Sequence, residues 1–348
     1  MATKTANSLE VAKRAGVSQA TVSYVLNKRG DQSISESTRQ RVLDAARDLN
    51  YRPNRLANGV LRGKSNIVGV ITTYLNSDFH ASVMTGTCDV LAENGYHTYI
   101  ASATGNATLQ RDVELMLEHR VEGIIWLAES APWIREAIGA GVPWVIVDDN
   151  SLADIADCVV SNDVAGARLA IDHLVALGHR RIAFWSAEWD SSSYRDRRHG
   201  YAAALASHGI SVDPSLVRTF PLDARRAAIE LHDFLSLPEP PTAFFFTSDI
   251  NAMVALHAAQ DTGIAVPGDI AITGYSGQDY ADFNDITTVS QNAREMGRKA
   301  ASLLLRRLAD PAIIPGTYLT ATKLIVRGST VHQPAKNRFY PLPNNVRH

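Results

Sequence analysis

Near the start of the chain apolar residues recur at three- and four-residue spacings; past residue 66 they gather into short unbroken runs separated by helical stretches. Val11, Ala12 and Ala15 share one face of a predicted first helix that Ser8 can cap, and Gly16 stands where a sharp turn needs a positive φ. A second helix, Gln19 to Leu26, has Ser18 as its N-cap and turns Val22, Val25 and Leu26 inward. Gln19, Ala20, Ser23 and Tyr24 are left on its outer face, because positions 19 and 23, and 20 and 24, are neighbours one turn apart. A third helix, started by Ser35 and running from about Glu36 to Leu49, adds the stripe Val42, Ala45, Ala46 and Leu49 and closes a small core. Two short helices joined this way, the second braced from behind, are what a helix-turn-helix presents to the major groove. The plainer reading is an ordinary packed helical hairpin.

After Tyr51-Arg52-Pro53-Asn54 comes a short stretch, Arg55 to Arg62, with the apolar stripe Leu56, Ala57, Val60 and Leu61. Alone in water a helix of two turns is marginal, and Gly59 costs it about 1 kcal/mol relative to alanine. It reads as a linker or as a helix that needs a partner. From Asn66 onward strands and helices alternate. Strands are predicted at Ile67–Ile71, Tyr96–Ala101, Gly123–Leu127 and Trp144–Val147, with helices at Phe79–Asn94, Leu109–His119 and Ile134–Ala140 between them. A second series follows, with strands Arg181–Trp185, Ala243–Phe246 and Ile270–Gly274. Its helices are Val164–Leu177, Tyr194–Ser207, Arg225–Leu235 and Asn251–Thr262, and a further helix spans Glu295–Leu308. Two successive series of this kind predict an α/β protein with two doubly wound subdomains behind an all-α headpiece. Ligands of such sheets lie beyond the carboxyl ends of the strands, here in the cleft between the two lobes.

Charge sharpens the division. Residues 1–65 hold twelve Lys and Arg against five Asp and Glu, a net +7, while the 348-residue chain as a whole stands at −2. Such asymmetry points to nucleic acid at one end only. Arg39, Arg41 and Arg47 on the third helix are available to phosphates, which fix register without reading sequence. A hydrophobic content of 45% with 20% charged residues fits a globular core. Cys88 and Cys158 stand alone and far apart, which suits a reducing compartment and excludes a disulfide framework. Met1 to Asn7 lacks an apolar signal core, and no run of about eighteen apolar residues occurs, so a cytoplasmic protein is expected.

The segments VAKRAGVSQATVSYVLN, ISESTRQRVLDAARDLNYRPN and LIVRGST, with the lengths between them, resemble the lactose-repressor/galactose-repressor (LacI/GalR) family of bacterial transcription regulators over about Ser8 to Thr330. The resemblance implies a headpiece over 1–53, a hinge helix over 54–65 and a periplasmic-binding-protein-like core over 66–331. The core's lobes would be 66–162 with 292–319, and 163–291 with 320–331, followed by a tail over 332–348. It implies a homodimer, or a tetramer, on a palindromic operator, released or gripped when a small molecule binds the core; the tail lacks a tetramerising leucine repeat. DNA contacts are expected from Ser18, Gln19, Ala20, Thr21, Ser23, Tyr24, Asn27 and Arg55. Val60 aligns with the leucine that wedges the minor groove in relatives, with Leu61 beside it. Tyr24 replaces the arginine common in relatives, so a bidentate guanine contact is excluded and a thymine methyl or phosphate contact is expected.

For the effector, Arg197 in SSYRDRRHGY matches the arginine that grips ligand hydroxyls or carboxylates in relatives, with Arg195 as competitor. Asp249 in FFFTSDINAM is a hydroxyl acceptor by resemblance and a helix cap by its position. Tyr74, Phe79 and Trp126 border strand ends and offer stacking faces, although buried aromatics are more often core. The family usually has Asn before the Asp of NDxxA and a Gly-Tyr/Phe-Asp run; here Ser248 and Ser276 stand at those polar positions, so the ligand set has changed. A sugar is the leading expectation, with a purine-type effector as the alternative. A sugar-binding transport receptor shares the two-lobed core but has no use for a basic headpiece. An enzyme is not expected: Gly274-Tyr275-Ser276-Gly277 lacks the spacing of a nucleophile elbow. His173 and His179 lack metal-ligand partners, and Asp148-Asp149 reads as a solvated acidic pair or a cleft edge. No cofactor or metal is expected.

Overall fold

The computed structural model describes residues 6–26, 34–51, 64–103, 105–128, 131–139, 141–186, 191–220 and 224–331. They belong to two units, Met1–Ser65 and Asn66–His348. Asn27, the predicted hinge contacts Arg55, Val60 and Leu61, and tail residues 332–348 lie outside the described residues.

The first unit contains α1 (Ser8–Ala15), α2 (Gln19–Leu26) and α3 (Glu36–Asp48). Val11, Ala12, Ala15, Val22, Val25, Val42, Ala45 and Ala46 form its core. Asn7, not Ser8, caps α1. Its side-chain oxygen accepts the Leu9 and Glu10 amides, each at 3.0 Å, and the Glu10 carboxylate accepts the Asn7 N–H at 3.0 Å. That reciprocal pair satisfies donors at both ends of the turn, which a serine one residue later does not. Gly16 ends α1 at φ 67°, in the left-handed region. The Ser18 hydroxyl accepts the Thr21 amide at 3.1 Å at the start of α2, and Ser35 caps α3 through the Thr38 amide at 3.3 Å.

In the second unit the chain runs β1 (Ile67–Thr72), α4 (Asp78–Glu93), β2 (His97–Ser102), α5 (Asn106–Glu118), β3 (Gly123–Leu127), α6 (Ile134–Ile138), β4 (Trp144–Val147) and β5 (Asp157–Ser161). It continues through α7 (Asp163–Ala176), β6 (Ile182–Ser186), α8 (Ser192–Ser207), β7 (Val217–Thr219), α9 (Ala224–Leu235), β8 (Ala243–Phe246), α10 (Asp249–Asp261), β9 (Ala271–Ser276), α11 (Asp279–Phe283) and β10 (Thr287–Ser290). It ends with α12 (Ala293–Ala309), β11 (Thr317–Thr320) and β12 (Lys323–Ile325). Two sheets result, ordered β11-β5-β4-β3-β1-β2 and β12-β10-β9-β8-β6-β7. All neighbours are parallel except β12, which runs antiparallel to β10. The chain passes from the first sheet to the second after β5, returns after β10, and crosses again between Thr320 and Lys323.

Strands covered on both faces have to be apolar throughout, which is why they appear as unbroken runs. On one face of the first sheet Val68, Val70, Val145 and Val147 meet Val83 and Leu91 of α4 and Met296 and Leu304 of α12. On the other, Ile71, Ile124 and Ile146 meet Leu109, Val113 and Met116 of α5. In the second sheet Trp185, Phe244 and Phe246 pack toward α9 and α10, while Phe184, Phe245 and Tyr275 pack toward α7 and α8. Helices α4 and α12 touch backbone to backbone. A Cβ on Gly297 would lie 1.9 Å from the Val83 carbonyl oxygen, and one on Gly86 2.0 Å from that of Arg294.

Candidate functional site

The headpiece presents the outer face of α2. Val22 and Val25 are buried, while Ser18, Gln19 and Ala20 are exposed and Thr21, Ser23 and Tyr24 are partly so. The Gln19 amide donates to the Ser8 hydroxyl at 2.7 Å, tying the first residue of α2 to the first of α1. Ser18 and Thr21 also share a hydroxyl–hydroxyl bond at 2.9 Å, so their side chains brace the start of α2. Elsewhere on the headpiece Arg14 pairs with Asp48 at 3.2 Å, Arg39 with Glu36 at 3.6 Å and Arg47 with Asp44 at 3.2 Å. These pairs are solvent-facing and worth little, so a phosphate can compete for each arginine.

In the core unit the strand order 2-1-3-4-5 recurs as β7-β6-β8-β9-β10 in the second sheet. Both sheets therefore reverse direction beside their first strand, where the carboxyl ends open a crevice. Asp148 follows β4 with φ 65°, a left-handed backbone that Asp and Asn tolerate better than most residues. Its carboxylate accepts the Ser193 hydroxyl of α8 at 3.4 Å and the Gln291 amide at 3.4 Å. Gln291 lies where the chain returns to the first lobe, and its amide also donates to Ser161 at 2.9 Å. Two residues after Asp148, the Asn150 N–H donates to the Ser192 hydroxyl at 3.2 Å. The two lobes are thus stitched together around Asp148.

Asp148 and Asp149 are not a solvated pair. Asp149 is buried and accepts both the backbone and the hydroxyl of Ser151, at 2.9 and 3.0 Å. Burial pushes Asp148 up to about 7; Asp163 and Asp149 add to the rise, while Arg197 and the Ser193 bond oppose it.

Arg197 is 3% exposed. Its Nε donates to Asp163 at 3.0 Å and its Nη1 to the Thr247 carbonyl at 2.7 Å. Its guanidinium carbon lies 4.2 Å from the ring centre of Tyr275 and 5.0 Å from that of Tyr194. Burial opposes the charge, but Asp163, Tyr275 and Asp148 outweigh it and hold the guanidinium above its ordinary pKa. Asp249, 1% exposed, accepts the Thr288 hydroxyl at 2.5 Å and the Gln278 N–H at 2.8 Å. Burial lifts it to about 6 against those two bonds. Ser248, not Asp249, is the N-cap of α10, accepting the Asn251 amide at 3.4 Å. A Cβ on Gly274 would lie 2.3 Å from an Asp249 carboxylate oxygen, so glycine is needed there.

The predicted ligand residues therefore separate. Trp126 is 1% exposed, with Trp133 at 5.6 Å and Trp144 at 6.0 Å between ring centres, and its indole N–H donates to the Ala128 carbonyl at 2.9 Å. Phe79, in the first turn of α4, is buried in the core shared with α12. Both rings are packed among core residues. Arg197 and Asp249 are bonded to groups inside the protein. Tyr74 and Ser276 stay partly exposed at the ends of β1 and β9. Beside Tyr74, burial lowers His80 to about 4, so its ring is neutral and bonds Thr72 at 3.1 Å. Arg195 is exposed on α8. The residues that bridge the lobes, Asp148, Ser161, Ser192, Ser193 and Gln291, escape the motif pattern, although an acidic pair at a strand end and a serine run before a helix were legible.

Among the described residues no group of His, Cys, Asp and Glu is placed to hold a metal ion, and no helix is long and apolar enough to cross a membrane. Residues 9–54 match the model of the lacI family of bacterial regulatory proteins, and 171–330 that of the periplasmic binding protein-like domain. The chain is 31% identical over 327 residues to the HTH-type transcriptional repressor CytR of Escherichia coli, covering 92% of this chain and 95% of that protein. It is 30% identical over 307 residues to the repressor PurR of Vibrio atlanticus, covering 86% and 91%. The Lac repressor dimer bound to operator and the anti-inducer ONPF superposes with a TM-score of 0.84 at 27% identity, covering 94% of this chain and all of that one. A complex of the regulator CelR with cellobiose superposes at 0.70, also at 27% identity, covering 93% and 99%. A three-helix headpiece with an exposed second helix, joined in one sequence to two lobes of matching strand order, has one consistent reading: the chain belongs to the lacI family of bacterial regulatory proteins and is a DNA-binding regulator, not an enzyme.

Proposed function

We propose that the protein represses transcription in the cytoplasm by binding a palindromic operator as a homodimer, and that a sugar or glycoside in the cleft of the core controls it. The observation that carries the DNA-binding half is the row of exposed Gln19 and Ala20 and partly exposed Ser23 and Tyr24 on a helix whose opposite side is buried. Gln19 and Ala20 face base edges, and Tyr24 meets a thymine methyl or a phosphate. For the dimer, Phe283 is 73% exposed, and Tyr99 and Ile100 are exposed on the edge strand β2, apolar surface that a second copy can cover.

For the effector, the cleft offers small hydroxyls, an amide and carboxylates, with Tyr74 as its partly exposed aromatic. That inventory suits a ligand rich in hydroxyl groups. CelR in complex with cellobiose is a relative of the same fold holding such a ligand. Effector binding changes the packing of the lobes and with it the grip on DNA, with coupling of about 1–3 kcal/mol as in other allosteric regulators.

Selection of bound duplexes from a random library tests the DNA half. A symmetric site is expected, and Gln19→Ala should weaken discrimination at one base pair in each half-site by about 1–3 kcal/mol. A guanine preference that disappears in Tyr24→Ala would contradict the role given to Tyr24. Melting temperatures with a panel of sugars and nucleosides test the other half, because a ligand held by the folded state alone raises the transition. A shift with nucleosides and none with sugars overturns the sugar reading.

A further inference from the structure

The hydroxyls and amides that join the lobes converge on one carboxyl group. Asp148 leaves the end of β4 in the first lobe and is held by Ser193 of the second and by Gln291 on the returning chain. Its backbone sits in the left-handed region, which turns the side chain out of the run of β4. The charged and titratable groups around it are Asp149 on its own segment, Asp163 at the start of α7, Tyr194 and Arg197 on α8, and Tyr275 on β9. Of these charged groups Arg197 alone favours a negative charge there, and it is already bonded to Asp163; the donors Ser193 and Gln291 favour the carboxylate as well. Both tyrosines have their hydroxyl pKa raised by burial and stay neutral.

We propose that Asp148 is a proton-controlled latch between the two lobes: the closed arrangement holds a proton on its carboxyl group, and parting the lobes releases it. In the closed form Asp148 and Asp163 share the Arg197 guanidinium and Asp149 adds a further negative charge beside Asp148, so a neutral Asp148 is favoured. In the opened form the group parts from these neighbours, is fully hydrated, and its ordinary acidity returns. The sign follows from linkage. The closed form keeps its proton up to about pH 7, and the opened form loses it near the ordinary value of 3.8. Closure is therefore fully favoured at low pH, weakens as pH rises between those two values, and levels off above the higher one. Neither an effector nor DNA is required, so the latch can fail while the proposed function stands, and the reverse.

The test is energy transfer between dyes on the two lobes of the full-length, effector-free protein, placed at Gln110→Cys and Ala206→Cys with Cys88→Ser, from pH 5 to 8.5. The ratio of closed to open is expected to fall by up to tenfold per pH unit between pH 5 and about 7 and then to flatten. Asp148→Asn keeps the shape and tolerates the left-handed backbone, and should remove the slope. Ser193→Ala removes a donor that favours the carboxylate and should move the flattening point to higher pH. A wild-type signal independent of pH, a slope that survives in Asp148→Asn, or a Ser193→Ala curve that superimposes on wild type each overturns the latch.

Discussion

Gly297→Ala is expected to destabilise the core unit by about 3 kcal/mol, read as a lower urea midpoint at unchanged slope. Helix propensity alone forecasts the opposite sign, a gain of about 1 kcal/mol for alanine over glycine inside a helix. The new methyl group would meet the Val83 carbonyl oxygen at 1.9 Å and the Thr87 amide nitrogen at 2.9 Å. These are backbone atoms of α4 and cannot swing aside as a flexible side-chain end can. The Thr87 hydroxyl donates to the Gly297 carbonyl at 3.3 Å, so parting the helices also loosens that bond. Gly86→Ala meets the mirror-image obstacle in Arg294 and should behave alike. Ser302→Ala, on the exposed side of the same helix, should change stability by no more than about 0.5 kcal/mol. A neutral or stabilising Gly297→Ala would show that α4 and α12 do not touch as described.

The second large effect is expected at Asp163. Removing it leaves the Arg197 guanidinium buried with its principal counter-charge gone, a change that costs about 3–5 kcal/mol when one partner of a buried pair is deleted. The Thr247 carbonyl and the rings of Tyr194 and Tyr275 soften the loss without replacing the carboxylate. Arg197→Met removes the charge and keeps much of the volume, so the pair Asp163→Ala with Arg197→Met should be less destabilised than the two single changes added together. A double-mutant cycle of unfolding free energies measures this coupling. An Asp163→Ala variant that loses less than about 1 kcal/mol would mean that the guanidinium finds water or another acid.

How far these features could be read in the bare chain depended on the length and burial of each element. β3 and β4 were legible to the residue as Gly123–Leu127 and Trp144–Val147, because parallel strands covered on both sides are continuously apolar. Strands Val217–Thr219, Thr287–Ser290, Thr317–Thr320 and Lys323–Ile325 were not, and neither was Asp157–Ser161. Each is only three to five residues long, Thr287–Ser290 and Thr317–Thr320 are rich in Thr and Ser, and three of the five lie at sheet edges where one face needs no apolar cover. The α2 face was legible because helical period alone sorts Val22 and Val25 from Gln19 and Tyr24. The cleft was legible in outline only. Trp126 at a strand end carries no local mark that tells a ligand-facing ring from one enclosed by Trp133 and Trp144. The lobe-bridging set depends on residues as distant in sequence as Asp148 and Gln291, and no pattern within a window can bring those together.

The three crossings between the sheets bear on how the molecule is made. β11 and β12, only two residues apart, supply an edge to the first sheet and an edge to the second. α12, which fills one side of the first lobe, emerges from the ribosome long after the strands it covers. Neither half is a contiguous piece of polypeptide, so translation has to run almost to its end before either can be completed, and a nascent chain halted before Thr317 would leave both unfinished at once.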